Sequence, residues 1–93
     1  MIKSFRHKGL ERFFTKGERK GVDAKQANRL CRNLDRLDGV ARPEDMNLPD
    51  LRFHGLSGNR KDTYSVWVSG NWRITFGFEV GDAINVDLED YRS

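Results

Sequence analysis

The sequence predicts a two-layer α+β domain in which two N-terminal helices pack on a small antiparallel β-sheet. Three observations predict it. Up to Gly39, apolar residues recur at helical spacing. From Tyr64 onward they alternate with polar residues, the period of a half-buried strand. Short Gly- and Asn-containing turns join the alternating runs, and such turns pair neighbouring strands antiparallel. At 93 residues the chain holds one domain, residues 1–93, with one small core.

Each element has its own justification. Ile2 to Phe5 is short and can pair as a strand. Leu10, Phe13 and Phe14 place a helix over His7 to Thr15, although Gly9 inside it costs about 1 kcal/mol relative to alanine. Gly17 and Gly21 bracket a loop. Asp23 reads as the N-cap of the second helix, with Gln26 as its box partner. Ala24, Ala27, Leu30, Cys31, Leu34 and Leu37 form that helix's apolar stripe, so Cys31 is expected to be a buried small hydrophobe. Arg29, Arg32, Asn33 and Arg36 fall mostly off the stripe. Asp38-Gly39 ends the helix, with Gly39 at C′. Pro43 and Pro49 frame a connector from Arg42 to Asp50.

In the second half, Leu51 to His54 is a short alternating strand and Leu56 to Asp62 is turn material. Tyr64, Val66 and Val68 face one way, and Ser65, Trp67 and Ser69 the other. Ser69-Gly70-Asn71 signals a hairpin. Trp72, Ile74, Phe76 and Phe78 alternate with Arg73, Thr75, Gly77 and Glu79. Val80-Gly81-Asp82 makes the next turn, and Ala83 to Tyr91 is the last strand. Simple alternation puts Ile84, Val86 and Leu88 on one face of it and Asn85, Asp87 and Glu89 on the other.

Composition excludes several classes. One cysteine rules out an intramolecular disulfide and a Cys-only zinc site. No apolar run approaches the roughly 20 residues of a membrane span, and the first residues lack the apolar stretch of a signal peptide. There is no glycine-rich phosphate loop, no HExxH, and no helix-turn-helix signature. His7 and His54 are too few and too far apart to suggest zinc. Charge is uneven: residues 1–36 carry 11 basic and 4 acidic side chains, +7, whereas residues 37–93 carry 6 and 10, −4. Eleven of the 17 cations are arginine, whose fork matches phosphate oxygens. A basic face able to meet polyphosphate follows, with an ordinary solvated helix surface as the plain alternative.

If Trp72, Ile74 and Phe76 point into the core, Asn71, Arg73 and Thr75 point out. The outer face can then gather His54, Asn71, Arg73 and the C-terminal polar residues. Metal-free RNA cleavage requires a base for the 2′-OH, an acid for the departing 5′ oxygen, and cations for the phosphorane. His54, Asp90 and Tyr91 can move protons; Arg60, Arg73 and Arg92 can stabilise charge. The same residues also fit plainer roles: a packed or surface histidine, an arginine stacked on a ring, a tyrosine at the core edge.

The opening Met1-Ile2-Lys3-Ser4-Phe5-Arg6-His7-Lys8-Gly9-Leu10 resembles the start of the HigB toxins of the RelE superfamily. So does Arg42-Pro43-Glu44-Asp45-Met46. The most specific stretch is Val68-Ser69-Gly70-Asn71-Trp72-Arg73-Ile74-Thr75-Phe76, followed by Gly81-Asp82-Ala83 and Glu89-Asp90-Tyr91. The resemblance covers essentially the whole chain. It implies a RelE-like fold and a bacterial cytoplasmic toxin that cleaves messenger RNA in the ribosomal A site without metal or other cofactor. It also implies a HigA-type helix-turn-helix antitoxin as partner, with operator DNA bound mainly through that antitoxin. By the same resemblance His54, Asp90 and Tyr91 fall on catalytic positions. Asn71 and Arg73 fall on substrate-binding positions, joined by Arg60 and Arg92. Arg29, Arg32 and Arg36 become the leading footprint on ribosomal RNA.

Three departures mark this chain. The family commonly reads His-Pro-Leu-Lys-Gly where His54-Gly55-Leu56-Ser57-Gly58 stands here, which removes a cation at Ser57. It commonly ends Asp-Tyr-His, whereas Asp90-Tyr91-Arg92-Ser93 replaces an imidazole with a guanidinium that stays protonated. The usual polar or basic residue between the two phenylalanines is Gly77. These departures define a second reading, a weakly active or inert homologue that binds antitoxin or ribosome without cutting.

Overall fold

A computed structural model describes residues 1–56, 58–60 and 62–91. Helix α1 spans Lys8–Lys16 and α2 spans Ala27–Gly39. Strands β1 (His54–Gly55), β2 (Thr63–Ser69), β3 (Trp72–Glu79) and β4 (Asp82–Asp90) follow. The four strands form one antiparallel sheet in chain order, β1-β2-β3-β4. The N-terminal segment adds two parallel bridges to its far edge, Ile2 to Ala83 and Phe5 to Val86. Short 3-10 turns at Pro43–Met46 and Gly58–Arg60 punctuate the connectors.

The first helix is set by its ends. His7 accepts a hydrogen bond from the Leu10 amide at 2.9 Å, which satisfies one of the orphan donors of the first turn. Gly17 takes a left-handed conformation and its amide returns to the Phe13 carbonyl. Gly9, a local weakness by propensity, is a packing contact: a Cβ at Gly21 would stand 2.8 Å from the Gly9 Cα. Two backbones meet there with no room for a side chain on either.

Helix α2 departs from expectation at both ends and along one side. It starts at Ala27, and the capping box at Asp23 does not form. Asp23 accepts instead from the Lys25 amide at 2.9 Å, closing a turn. Gln26 is buried and donates to the Ser69 hydroxyl at 3.1 Å, so the sheet claims the group that would have capped the helix. Ala24 is exposed. Gly39 lies inside the helix, with Val40 as its C-cap. Cys31 is exposed, a correction to its placement on the buried stripe. Each residue turns the helix by about 100°, and the buried face runs through Leu30, Asn33, Leu34 and Leu37. Asn33 is drawn inward because its amide donates to the Trp67 carbonyl. That rotation carries Cys31 to the surface.

The core lies between helices and sheet. Leu10, Leu30, Leu34 and Leu37 from the helices meet Val66, Ile74, Phe76 and Val86 from the strands, and all eight are fully buried. Met46 and Leu51 from the connector close one side.

Two bulges overturn simple alternation. Trp67 pairs with Arg73 but Ser69 pairs with Trp72, so an extra residue sits at Val68. Ser69 therefore turns toward the helices, where Gln26 meets it, and does not share a face with Ser65 and Trp67. Thr75 pairs with Asp87 but Gly77 pairs with Ile84, which leaves Asn85 extra at a φ of 54°. The bulge sends Ile84 to the outer face opposite Gly77, while Ala83 and Val86 stay buried. Ile84 and Val86 therefore lie on opposite faces.

The β3–β4 hairpin has its own strain. Val80 and Gly81, between the paired Glu79 and Asp82, take φ of 52° and 82°. Two left-handed residues make a type I′ turn, which favours Asn-Gly. Val80 is β-branched and 95% exposed, so no burial offsets its conformation. Val80→Asn is expected to stabilise the fold by about 1 kcal/mol. In a thermal melt the midpoint should rise by roughly 4–8 °C; an unchanged midpoint would mean that Val80 carries no strain.

Candidate active site

The register fixes which side chains share the outer face. His54, Ser65, Thr75 and Asp87 stand opposite one another across the four strands. The next row holds Trp67, Arg73 and Glu89. Directly opposed residues point the same way, so these two rows form one polar surface. Ser65 and Thr75 are nonetheless buried, because the long side chains of the second row fold over them.

Arg73 is the most constrained of these groups. Its Nε donates to the Ser65 hydroxyl at 2.9 Å, and an Nη donates to the Arg52 carbonyl. Arg52 holds that carbonyl in place through a left-handed backbone, φ 47°. Partial burial lowers the Arg73 pKa from its ordinary value; the nearby Tyr91 opposes this and the neighbouring Arg52 adds to it. The guanidinium remains a cation. Its carbon lies 5.8 Å from the centroid of the Tyr91 ring. Tyr91 is 40% exposed, and its amide donates to the Asn71 carbonyl at 2.8 Å. The β2–β3 turn thus anchors the end of β4 beside Arg73. His54 is exposed on the two-residue edge strand, in register with the serine that Arg73 grips.

The remaining candidates divide. Asn71 sits exposed in the turn after Gly70. Asp90 stands opposite Trp72, on the face that carries Ile74 and away from Arg73 and Glu89. Arg60 grips Glu89 with both terminal nitrogens, one at 3.0 Å, and Thr75 donates its hydroxyl to the same carboxylate. Arg29 donates to the Val68 carbonyl at 3.1 Å, and Arg36 lies 3.6 Å from Asp50. Arg32 is exposed and lines a shallow hollow of about 140 Å³ with Asn33, Asp50 and Trp67. Ser57 and Arg92 lie outside the described residues. Among the described residues no group of three His, Cys, Asp or Glu side chains is placed to hold a metal ion, and no helix is long and apolar enough to cross a membrane.

A family model described as the RelE-like toxin of the type II toxin–antitoxin system HigB matches residues 3–91. The chain belongs to the HigB-like toxin family. Over 91 residues, 98% of this chain and 99% of the relative, it is 42% identical to a Proteus vulgaris protein named endoribonuclease HigB. Over 94 residues, 99% of each, it is 31% identical to toxin HigB-1 of Vibrio cholerae serotype O1. Two helices over four antiparallel strands agree with the RelE-like architecture of the HigB-like toxins.

Three residues of this HigB-like toxin's outer face escaped sequence reasoning as parts of a site: Arg52, Ser65 and Glu89. Alternation marks Ser65 and Glu89 as outward-facing, but only the strand register places them on either side of Arg73. No local signal marks a left-handed backbone at Arg52. Glu89 is also expected to give the fold a response to acid. Hydrogen bonding from Arg60, then from Thr75, holds its carboxyl below the usual glutamate range, against an opposing effect of burial. A depressed folded-state pKa contributes stability above the unfolded value, lost as pH falls through the folded one. The stability of the wild type should therefore decline through and below the ordinary glutamate range, and Glu89→Gln should flatten that part of the profile. Urea melts across acid pH measure it; identical slopes would remove Glu89 as a source.

Proposed function

We propose that this chain is a ribosome-dependent endoribonuclease that cuts messenger RNA in the A site, with the RNA's own 2′-OH as nucleophile. The observation that carries this reading is the Arg73 guanidinium, fixed by Ser65 and the Arg52 carbonyl and set beside the Tyr91 ring on the face that bears His54. A fixed cation at that place neutralises a phosphorane without reorganising. His54 and Tyr91 supply groups that can take and return protons, and Asp90, which ends β4 next to Tyr91 but on the opposite face from Arg73, is the third group of the proposed set; this chemistry requires no cofactor. Asn71, Arg60 and Arg92 position the strand. Of the three helical arginines, Arg29 and Arg36 already have partners within the fold, so Arg32 leads the contact with ribosomal RNA. The partner is a HigA-type helix-turn-helix antitoxin, through which operator DNA is bound, and the site of action is the bacterial cytoplasm. The antitoxin partnership is supported by family membership.

Induced expression with and without the adjacent antitoxin, with mapping of transcript ends, tests this. Growth arrest with codon-positioned ends that His54→Ala or Tyr91→Phe abolishes is the expected result. Arrest with intact transcripts refutes cutting. The second reading, a weak or inert homologue, is favoured by Ser57 and Arg92, which leave the site one cation and one imidazole short of the family pattern. Loss of one acid–base group costs on the order of 100-fold. A gain of cutting in Arg92→His would support it, and stable antitoxin binding without arrest would establish it.

A further inference from the structure

Beyond the row of His54, Ser65, Thr75 and Asp87 the outer face opens into a hollow of about 320 Å³. Its floor is Thr75 and Gly77 of β3 with Ile84 of β4. Asn59, Arg60 and Asp62 line it from the 3-10 turn and the residues after it, and Arg6 and Asn85 complete the polar lining. Three features create it. The Asn85 bulge turns Ile84 outward and points the Asn85 backbone away from the ladder. The Arg6 amide bonds to the Val86 carbonyl at 2.8 Å, which fixes Arg6 along the outer edge of β4. Gly77 contributes no side chain, and a Cβ there would stand 3.2 Å from the Ile84 Cγ1, so a longer side chain would have to run out into the cavity.

The lining is chemically specific. Two arginines, Arg6 and Arg60, line the hollow with one carboxylate, Asp62, and both also act on the Glu89 carboxylate beside it. Arg60 gives Glu89 two of its five donors and keeps the others. Two asparagine amides offer paired donors and acceptors, the arrangement that reads a base edge. Strand rise is about 3.4 Å per residue, which puts the Thr75 rim roughly 7 Å along β3 from Arg73.

We propose that this hollow is a nucleotide subsite, holding the residue of the RNA strand that adjoins the scissile bond. Arg6 and Arg60 take its phosphate, Asn59 and Asn85 meet the edge of its base, and Gly77 leaves the space that it occupies. The assignment to the scissile strand rests on the endoribonuclease reading; the capacity to hold a nucleotide does not.

The full chain, silenced as His54→Ala and labelled with ¹⁵N, is titrated with adenosine 5′-monophosphate, uridine 5′-monophosphate and inorganic phosphate. Shifts of the Thr75, Gly77 and Asn85 amides by the nucleotides are expected. Arg6→Gln should weaken binding by about tenfold, the loss of one charge-assisted hydrogen bond. Gly77→Gln, its fold verified by the same spectrum, should abolish it. No shifts at these amides, undiminished binding in Gly77→Gln, or equal affinity for inorganic phosphate would overturn the proposal. If Gly77→Gln does not fold, the Arg6→Gln titration decides. Transcript ends from otherwise native Gly77→Gln form the second arm, with altered base preference beside the cut expected. Nucleotide binding with unaltered preference overturns the scissile-strand assignment. No cut ends even from the native chain would sink the endoribonuclease reading, and the titration would still judge the hollow.

Discussion

Arg73→Lys is expected to slow messenger RNA cleavage by about 100-fold or more while leaving the fold in place. The charge survives this change, and the fork does not. In the native chain the guanidinium is held at two points, by the Ser65 hydroxyl and the Arg52 carbonyl, with its plane near the Tyr91 ring. A lysine ammonium has the reach but no fixed plane, so it cannot bind those acceptors and present parallel donors to a phosphorane. The stability cost is small, about 1 kcal/mol for the lost hydrogen bonds on a half-buried surface. Transcript-end counts after matched induction, beside a thermal melt, separate the effects. Full cutting by the lysine variant would show that only a positive charge is required, and the fixed-fork reading would fail.

Phe76→Ala is expected to destabilise the protein by about 3–5 kcal/mol. Phe76 is fully buried on β3, with ring centroids of Tyr64 at 5.8 Å and Phe78 at 6.1 Å. Removing it empties the centre of the core and unpairs both neighbours. Small domains hold only about 5–15 kcal/mol of stability in total, so the variant should be largely unfolded at physiological temperature. The half-buried Phe78 supplies the control: Phe78→Ala should cost clearly less in the same denaturant titration. Equal losses would mean that the two rings are packed alike.

The architecture was legible because periodicity reports burial. The Leu30, Leu34, Leu37 spacing announced a helix face, and the Trp72 to Phe78 alternation announced a strand. What the sequence did not show was where periodicity breaks. A single extra residue at Val68 and another at Asn85 reverse the faces of Ser69 and Ile84; Val68 is an ordinary strand residue, and Asn85, though of a type that is rare in strands and tolerates a left-handed backbone, stands in an otherwise alternating run. Cys31 was misplaced for a related reason: the helix is rotated by a polar contact, Asn33 to the Trp67 carbonyl, that a count of apolar positions ignores. At the candidate site, alternation alone sent Arg73 outward. Its restraint by Ser65 and Arg52 depends on register and on a left-handed backbone, both of which are tertiary properties.

Trp67 gives the molecule an optical handle. Two guanidinium carbons, of Arg29 and Arg52, lie 5.2 and 4.8 Å from its ring centroid. Any polyanion that draws those cations away changes the electric field across the indole and hence its emission. The other tryptophan, Trp72, packs against the core on the helix side. A Trp72→Phe chain would therefore report docking at the outer surface through intrinsic fluorescence alone, with no dye attached.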